Sequence, residues 1–276
     1  MKLVRWGERG AERPGLVGPD GHIRDLSGHC IDITPDMLAP ERLARLSAVD
    51  PADLPPVPGS PRLGVPVTGI RTVIGIGLNY RDHAAETGMA LPAEPVVFSK
   101  HASALAGATD PLTLPRHSAK VDWEVELAVV IGQPCFQVAE ADALAHVAGY
   151  AVVNDVSARD WQIEGTGQWV KGKSYPGFAP LGPWLVTRDE IPDPQALPLW
   201  LAVDGSRMQD GTTANMVFGV AFLVSYLSRL MALEPGDVIC TGTPAGVGLG
   251  RKRFLKPGEV MEAGVEGLGR QRVELA

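Results

Sequence analysis

Two glutamates two residues apart lead into an apolar run: Asp122-Trp123-Glu124-Val125-Glu126, then Leu127-Ala128-Val129-Val130-Ile131-Gly132. The run is short, β-branched and bounded by glycine, so it predicts a strand. Residues i and i+2 of a strand face the same way, so Glu124 and Glu126 project side by side. Adjacent carboxylates repel unless a cation or a shared proton relieves them. An isolated Glu-x-Glu is ordinarily a solvated strand end. This strand is too apolar to sit at an edge, which weakens that reading.

The remainder of the chain reads as strand-dominated from Arg71 onward. Thr72–Ile76, Val96–Ser99, Glu124–Ile131, Tyr150–Asp155, Trp184–Thr187, Leu199–Val203 and Val238–Thr241 are short apolar or β-branched runs bounded by glycine and proline. Helices are expected at Ala139–Val147, with Gly149 just beyond its end, and at Ser157–Glu164, where Ser157 and Asp160 come close to a capping box. A longer helix is expected at Asn215–Leu233, stopped by Pro235-Gly236, with Phe218, Phe222 and Leu223 facing the core. Strands outnumber helices without strict βαβ alternation, so the fold class is α+β, mainly β. Residues 1–50 read as a small N-terminal accessory domain. It has a hairpin turn at Gly18-Pro19-Asp20-Gly21, a Thr34-Pro35 helix start and a stripe of Leu38, Leu43 and Leu46. Six prolines between Pro51 and Pro66 exclude helix and central strand, so 51–70 reads as a stiff linker. The catalytic domain is then 71–276.

Composition removes several function classes. The 276 residues carry a net charge of −7 and no dense basic cluster, so no nucleic-acid partner is expected. Arg251-Lys252-Arg253 is short enough to be a solvated loop. The longest apolar stretch, Met216–Leu233, is interrupted by Gly219, Ser225, Ser228 and Arg229 and reads as a core helix, with no membrane association expected. Met1-Lys2-Leu3-Val4-Arg5 turns polar before an apolar leader can form, so no secretory signal is expected. Cys30, Cys135 and Cys240 are odd in number and lack CxxC spacing, which fits a reducing cytoplasm.

Other residues can join the glutamate pair. Asp155, in Asn154-Asp155 at the end of an apolar strand, is either the cap of the next helix or a third carboxylate. Three carboxylates make a hard, all-oxygen site suited to Mg²⁺ or Mn²⁺. In His83-Ala84-Ala85-Glu86 the helical spacing puts imidazole and carboxylate on one face, either as a surface pair or as an oriented general base. Lys173, among Trp169 and glycines, is a solvated loop lysine or an anion ligand. Thr241-Gly242-Thr243-Pro244-Ala245-Gly246-Val247-Gly248 can offer hydroxyls and amides to an anion. No dinucleotide fingerprint, P-loop or GxSxG elbow is present.

Taken in chain order, these motifs resemble the fumarylacetoacetate hydrolase family. They run Gly77-Leu78-Asn79-Tyr80-Arg81-Asp82-His83, Asp122-Trp123-Glu124-Val125-Glu126-Leu127, Asn154-Asp155-Val156-Ser157-Ala158-Arg159-Asp160, Lys173-Ser174 and Thr241-Gly242-Thr243-Pro244. The resemblance implies a mixed β-roll core, a homodimer, and Mg²⁺ or Mn²⁺ held by Glu124, Glu126 and Asp155. It implies that His83 and Glu86 activate water, that Lys173 helps to bind the substrate or polarise its carbonyl, and that Arg159, Gln162 and Thr243 bind the substrate. The implied reaction is cleavage of a C–C bond in a small 2,4-dioxo acid, an acylpyruvate or a 2,4-diketo-3-deoxy sugar acid, to pyruvate and a carboxylic acid. The N-terminal unit and Gly167-Gln168-Trp169 resemble the bacterial branch often labelled ureidoglycolate lyase. Pro176, where close relatives often carry Asp, is a departure in a loop near the substrate. The alternatives are an oxaloacetate decarboxylase or related 2-oxo acid lyase, and a non-catalytic oxo-acid binding protein.

Overall fold

The computed structural model describes residues 1–276. The chain opens with a meander of β1 (Lys2–Trp6), β2 (Arg13–Val17) and β3 (Ile23–Asp25), with the expected Gly18–Gly21 turn between the last two. Thr34 precedes a 3₁₀ turn without making a capping hydrogen bond, and α1 (Pro40–Ser47) comes next. Leu38 and Leu46 are buried and Leu43 packs against them half-buried.

The meander is not spatially apart from the rest of the chain. Leu3 of β1 pairs with Leu185, so the first three strands extend the main sheet. The proline-rich stretch is fastened along that extension. Trp6 bridges to Leu63 and Arg24 to Pro56, and Leu54, Val57 and Val67 are buried. Arg62 grips both oxygens of Asp110, at 2.6 and 2.8 Å, and donates to Glu12 at 2.9 Å. We propose 1–50 as an accessory domain, 51–70 as its linker and 71–276 as the catalytic domain, with one sheet running through the boundary.

The larger part continues with β4 (Val73–Gly77), α2 (Arg81–Thr87), β5 (Val96–Lys100), β6 (Leu105–Gly107), β7 (Val121–Asp122), β8 (Val125–Ile131), α3 (Glu140–Ala143) and β9 (Val147–Asn154). Then come β10 (Ser157–Ala158), α4 (Arg159–Ile163), α5 (Val170–Lys173), β11 (Ala179–Leu181), β12 (Leu185–Thr187), β13 (Pro198–Val203) and β14 (Ser206–Thr212). The chain closes with α6 (Val220–Leu230), β15 (Val238–Cys240), α7 (Gly248–Arg251), β16 (Val260–Val265) and β17 (Gly269–Glu274). The main sheet runs β3-β2-β1-β12-β9-β8-β15-β4-β5, with β11 joined to β9 and β6. It is mixed, because β15 with β4 and β11 with β6 are parallel pairs. Strands β14-β13-β16-β17 form a second, antiparallel sheet packed over β8 and β9. The fold is therefore α+β and dominated by sheet.

Every residue of β8 and β9 is buried, as their unbroken apolar sequences require. Two buried amides fasten the sheets together. Gln271 of β17 donates to Val152 O at 2.9 Å and Pro180 O at 2.8 Å. Gln209 of β14 accepts the Val125 amide at 2.9 Å and donates to Thr243 Oγ1 and Pro244 O.

All seven expected strands overlap observed ones, whereas the helices need correction. Ala139–Val147 is helical only to His146 as a short α-turn and a 3₁₀ turn, and Val147 already belongs to β9. Gly149 is inside that strand, where a Cβ would come 2.1 Å from Val186 O. Close backbone packing, not helix termination, explains that glycine. Ser157 is extended, its hydroxyl donating to Asp155 O, and α4 begins two residues later. The long helix spans only Val220–Leu230, with Gly219 as its N-cap. Leu223 is buried, but Phe218 and Phe222 are half-buried and stack on each other at 5.2 Å.

Candidate active site

Val125 of β8 lies opposite Asn154 of β9, which sets Glu124 beside the end of the neighbouring strand. Asn154 Oδ1 accepts the Glu124 amide at 3.0 Å, and the Asp155 amide donates to Glu124 O at 2.8 Å. Glu126 faces the same side, its Oε2 accepting the Gly242 amide at 2.8 Å. One oxygen from each of Glu124, Glu126 and Asp155 lies within 4.8 Å of the other two, and all three residues are buried. The strand alternation and the position of Asp155 at a strand end thus bring the three carboxylates together.

Three buried cations surround them. Lys173 Nζ lies 2.6 Å from both Glu124 Oε2 and Asp155 Oδ2. Lys100, at the end of β5, pairs with the other oxygen of Asp155. Arg159 donates to Asp122 Oδ2 at 2.8 Å, Glu124 Oε1 at 2.5 Å and Gln162 Oε1 at 2.9 Å. Asp122 in turn accepts the amides of Trp123, Gly248 and Leu249, so it ties Arg159 to the 241–248 loop. Sequence reasoning assigns no role to Lys100 or Asp122. A lysine ending the apolar run Val96-Val97-Phe98 is the available sign for the first. Asp122 stands in the Asp-Trp-Glu-Val-Glu motif, but its partners come from distant segments.

The electrostatics follow from this packing. Burial alone would raise Glu124, yet Arg159 and Lys173 outweigh it and hold the carboxyl well below its usual range. Burial, reinforced by the charges of Asp155 and Glu124, pushes Glu126 well above it. Burial pulls Lys173 down, but Asp155 and Glu124 raise it above an ordinary lysine. Lys100 is lowered, because burial and nearby Lys173 exceed the help from Asp155. Four carboxylates (Asp122, Glu124, Glu126, Asp155) face three cations (Lys100, Arg159, Lys173), leaving one acid in excess. An all-oxygen donor set in which one carboxyl, Glu126, lacks a cation of its own fits a hard divalent cation, which would hold that carboxyl ionised.

Glu124 and Glu126 open onto a cavity of ≈220 Å³ that Arg159, Gln162, Lys173, Thr243 and His83 also line from the polar side, while Asp155 is fully buried outside its lining. His83 is carried by α2 and its Nδ1 has no hydrogen-bond partner. Glu86 Oε2 stands 3.6 Å from that nitrogen, beyond hydrogen-bond reach. Both Glu86 oxygens instead accept the amide of Gly246, whose φ of +105° suits a residue without a side chain. The expected pair is therefore close but not joined. Thr243 also differs from a free substrate ligand: its hydroxyl donates to Val125 O and accepts from Gln209. In the Pro176 loop, Tyr175 packs on Phe178 at 5.2 Å and faces Trp161 at 6.1 Å.

Residues 72–276 match the domain described as fumarylacetoacetate (FAA) hydrolase C-terminal. The chain belongs to the fumarylacetoacetate hydrolase family and is a hydrolase by that membership. A Burkholderia multivorans relative, provisionally named a hydrolase, is 59% identical over 98% of this chain and 97% of its own. Maleylpyruvate hydrolase from Sphingobium sp. SYK-6 is 30% identical with a TM-score of 0.83, over 100% of this chain and 99% of that one. A 5-carboxymethyl-2-hydroxymuconate delta-isomerase from Mycobacterium smegmatis is 33% identical with a TM-score of 0.79, over 100% and 98%.

Proposed function

We propose that the protein is a metal-dependent hydrolase that cleaves the C3–C4 bond of a small 2,4-dioxo acid, giving pyruvate and a carboxylic acid. The observation that carries this reading is a cluster of three buried carboxylates, two of which, Glu124 and Glu126, line a cavity that an unpartnered imidazole also lines. The likeness to a maleylpyruvate hydrolase supports the acylpyruvate class.

Glu124, Glu126 and Asp155 would hold Mg²⁺ or Mn²⁺. When bound, the cation supplies electrostatic stabilisation for the negative charge that builds on the 2-oxo group. His83 takes a proton from water as the water oxygen adds to the C4 carbonyl. Glu86, which the Gly246 amide holds 3.6 Å from the imidazole, is assigned to orient it. The C3–C4 bond then breaks with its electron pair on C3, which takes up a proton to give pyruvate, and C4 leaves as the carboxylic acid. Lys173 holds positive charge at the polar end of the cavity. Gln162 spends its oxygen on Arg159, leaving its amide N–H groups for a substrate oxygen. Arg159 and Thr243 are assigned to the same binding surface, Arg159 through the guanidinium donors its three partners do not use.

The test is a product assay with acylpyruvates, sugar-derived 2,4-dioxo acids and oxaloacetate, with Mg²⁺ and with chelator. Metal-dependent release of pyruvate from a 2,4-dioxo acid is expected. Fast oxaloacetate decarboxylation with no 2,4-dioxo acid cleavage would replace the hydrolase reading, and tight binding of oxo acids without turnover would make this a binding protein. We also propose a homodimer in a reducing cytoplasm. Its three cysteines are free and no helix is long and apolar enough to cross a membrane.

A further inference from the structure

The 2,4-dioxo acid reading leaves open what is attached to the C4 carbonyl. Resting on that reading, we propose that it is an uncharged apolar group, a short alkyl chain or an aryl ring, and not one that bears a second carboxylate or several hydroxyls.

The cavity has two unlike ends. Its polar end is the carboxylate cluster, and the apolar wall begins directly beside it, with Lys173 Nζ 4.9 Å from the centre of the Phe98 ring. Trp169 continues the wall, its ring 5.3 Å from that of Phe98. Gly77 makes this possible, because a Cβ there would come 2.5 Å from the Trp169 ring. Leu78 faces the same space from a backbone φ of 54°, in the left-handed region that leucine rarely occupies. Such a conformation persists only where the surroundings impose it. Here the fully buried Asn79 imposes it, donating to Phe218 O and Thr241 O and accepting the Phe218 amide. Met89 and Ile163, 51% and 46% exposed, place two more large apolar side chains at the lining's outer part.

No basic group stands at the apolar end to receive a distal carboxylate, and the guanidinium donors that Arg159 keeps free are at the polar end, where they are assigned to the 2,4-dioxo acid itself. Lys173 is bound to Glu124 and Asp155. Arg159 is bound to Asp122, Glu124 and Gln162. His83, the third basic lining residue, is needed at the C4 carbonyl. A second carboxylate would thus lose its water against Phe98, Trp169 and Leu78 and gain no partner. An alkyl or aryl group loses nothing there and gains from every carbon removed from water.

Two measurements on the full-length, metal-loaded protein test this. The first is kcat/KM for acetylpyruvate, butanoylpyruvate and benzoylpyruvate against maleylpyruvate and a 2,4-diketo-3-deoxy sugar acid. The second is the affinity for 2-oxohexanoate and 2-oxoglutarate, which lack the 4-oxo group and cannot be cleaved, by quenching of tryptophan fluorescence. Apolar members are expected to exceed charged and hydroxylated ones by at least about tenfold in both. Ile163→Lys should narrow or reverse the 2-oxohexanoate preference. A preference of the wild type for 2-oxoglutarate, maleylpyruvate or the sugar acid overturns the inference. Tenfold preference for 2-oxohexanoate with no turnover of any 2,4-dioxo acid supports the apolar pocket while sinking the hydrolase reading. Equal affinity for the two oxo acids overturns the pocket assignment even if acylpyruvates are cleaved.

Discussion

Glu86 accepts the amide of Gly246 through both carboxylate oxygens, at 3.1 and 3.0 Å, and so stands 3.6 Å from the imidazole of its helix neighbour His83. The carboxylate is anchored by the loop, and the imidazole has its Nδ1 unpartnered. If His83 is the general base, His83→Ala lowers kcat for 2,4-dioxo acid hydrolysis by about 10²–10⁴-fold. Oxaloacetate decarboxylation, which needs no water attack, falls much less in the same variant. Parallel steady-state assays at fixed Mg²⁺ check this, and undiminished hydrolysis removes the pair from the proton transfer.

Glu126 is the surplus acid of the cluster and, in the proposed site, a metal ligand. Glu126→Ala is expected to abolish measurable Mg²⁺ and Mn²⁺ binding in titration calorimetry and to remove metal-dependent activity. Its circular dichroism should match the wild type, because one of several crowded carboxylates has been removed.

Lys173 is 2% exposed and separates two carboxylates at 2.6 Å each. Lys173→Met deletes that charge and leaves Glu124 and Asp155 facing each other. Loss of one partner from a buried ion pair costs about 3–5 kcal/mol, read as a fall in urea unfolding free energy of the metal-free protein. Added Mg²⁺ should recover part of it, since a ligand bound only by the folded state stabilises that state.

Acid should loosen the N-terminal meander first. Burial raises Asp110, but its paired hydrogen bonds from Arg62 outweigh that and hold it below the usual carboxylate range; Glu12 behaves likewise. A folded-state pKa below the unfolded value gives stability that is present above the unfolded pKa and lost as pH falls through the folded one. Hydrogen exchange in residues 1–25 should therefore accelerate as pH drops below the ordinary carboxylate pKa. Arg62→Leu should exchange rapidly at neutral pH and lose most of that pH dependence.

The proposed homodimer predicts a light-scattering mass near twice the 29.3 kDa of one chain. A mass of one chain at micromolar concentration would remove it.

How far the chain alone can be read depends on the range of the interaction. Glu124 and Glu126 are legible because strand alternation is local. Asp155 needs only the strand end beside it. Lys100 and Asp122 are not, because their value lies in partners at Asp155, Arg159 and Gly248 that only the folded sheet brings near. The proline-rich stretch reads as a connector since proline excludes regular structure. Arg62, Leu54 and Val67 nevertheless fix it to the sheet through side chains that a composition argument does not see. The expected helices overrun at Ala139–Val147 and Asn215–Leu233 because apolar content there serves strand β9 and loop packing as well as helix.

Gln209 belongs to the outer sheet, yet its amide meets Val125, between the two glutamates, and Thr243, on the loop that supplies the amide to Glu126. A single neutral side chain thereby sets the spacing between strand and loop on either side of the carboxylates. Few replacements can do this. Glutamate keeps the length and the acceptor but loses the N–H donors to Thr243 and Pro244, and it would bring another acid toward an already acid-rich cluster. Directed evolution for new substrates should therefore find Gln209 nearly immutable, while the residues around Met89 and Ile163 change freely.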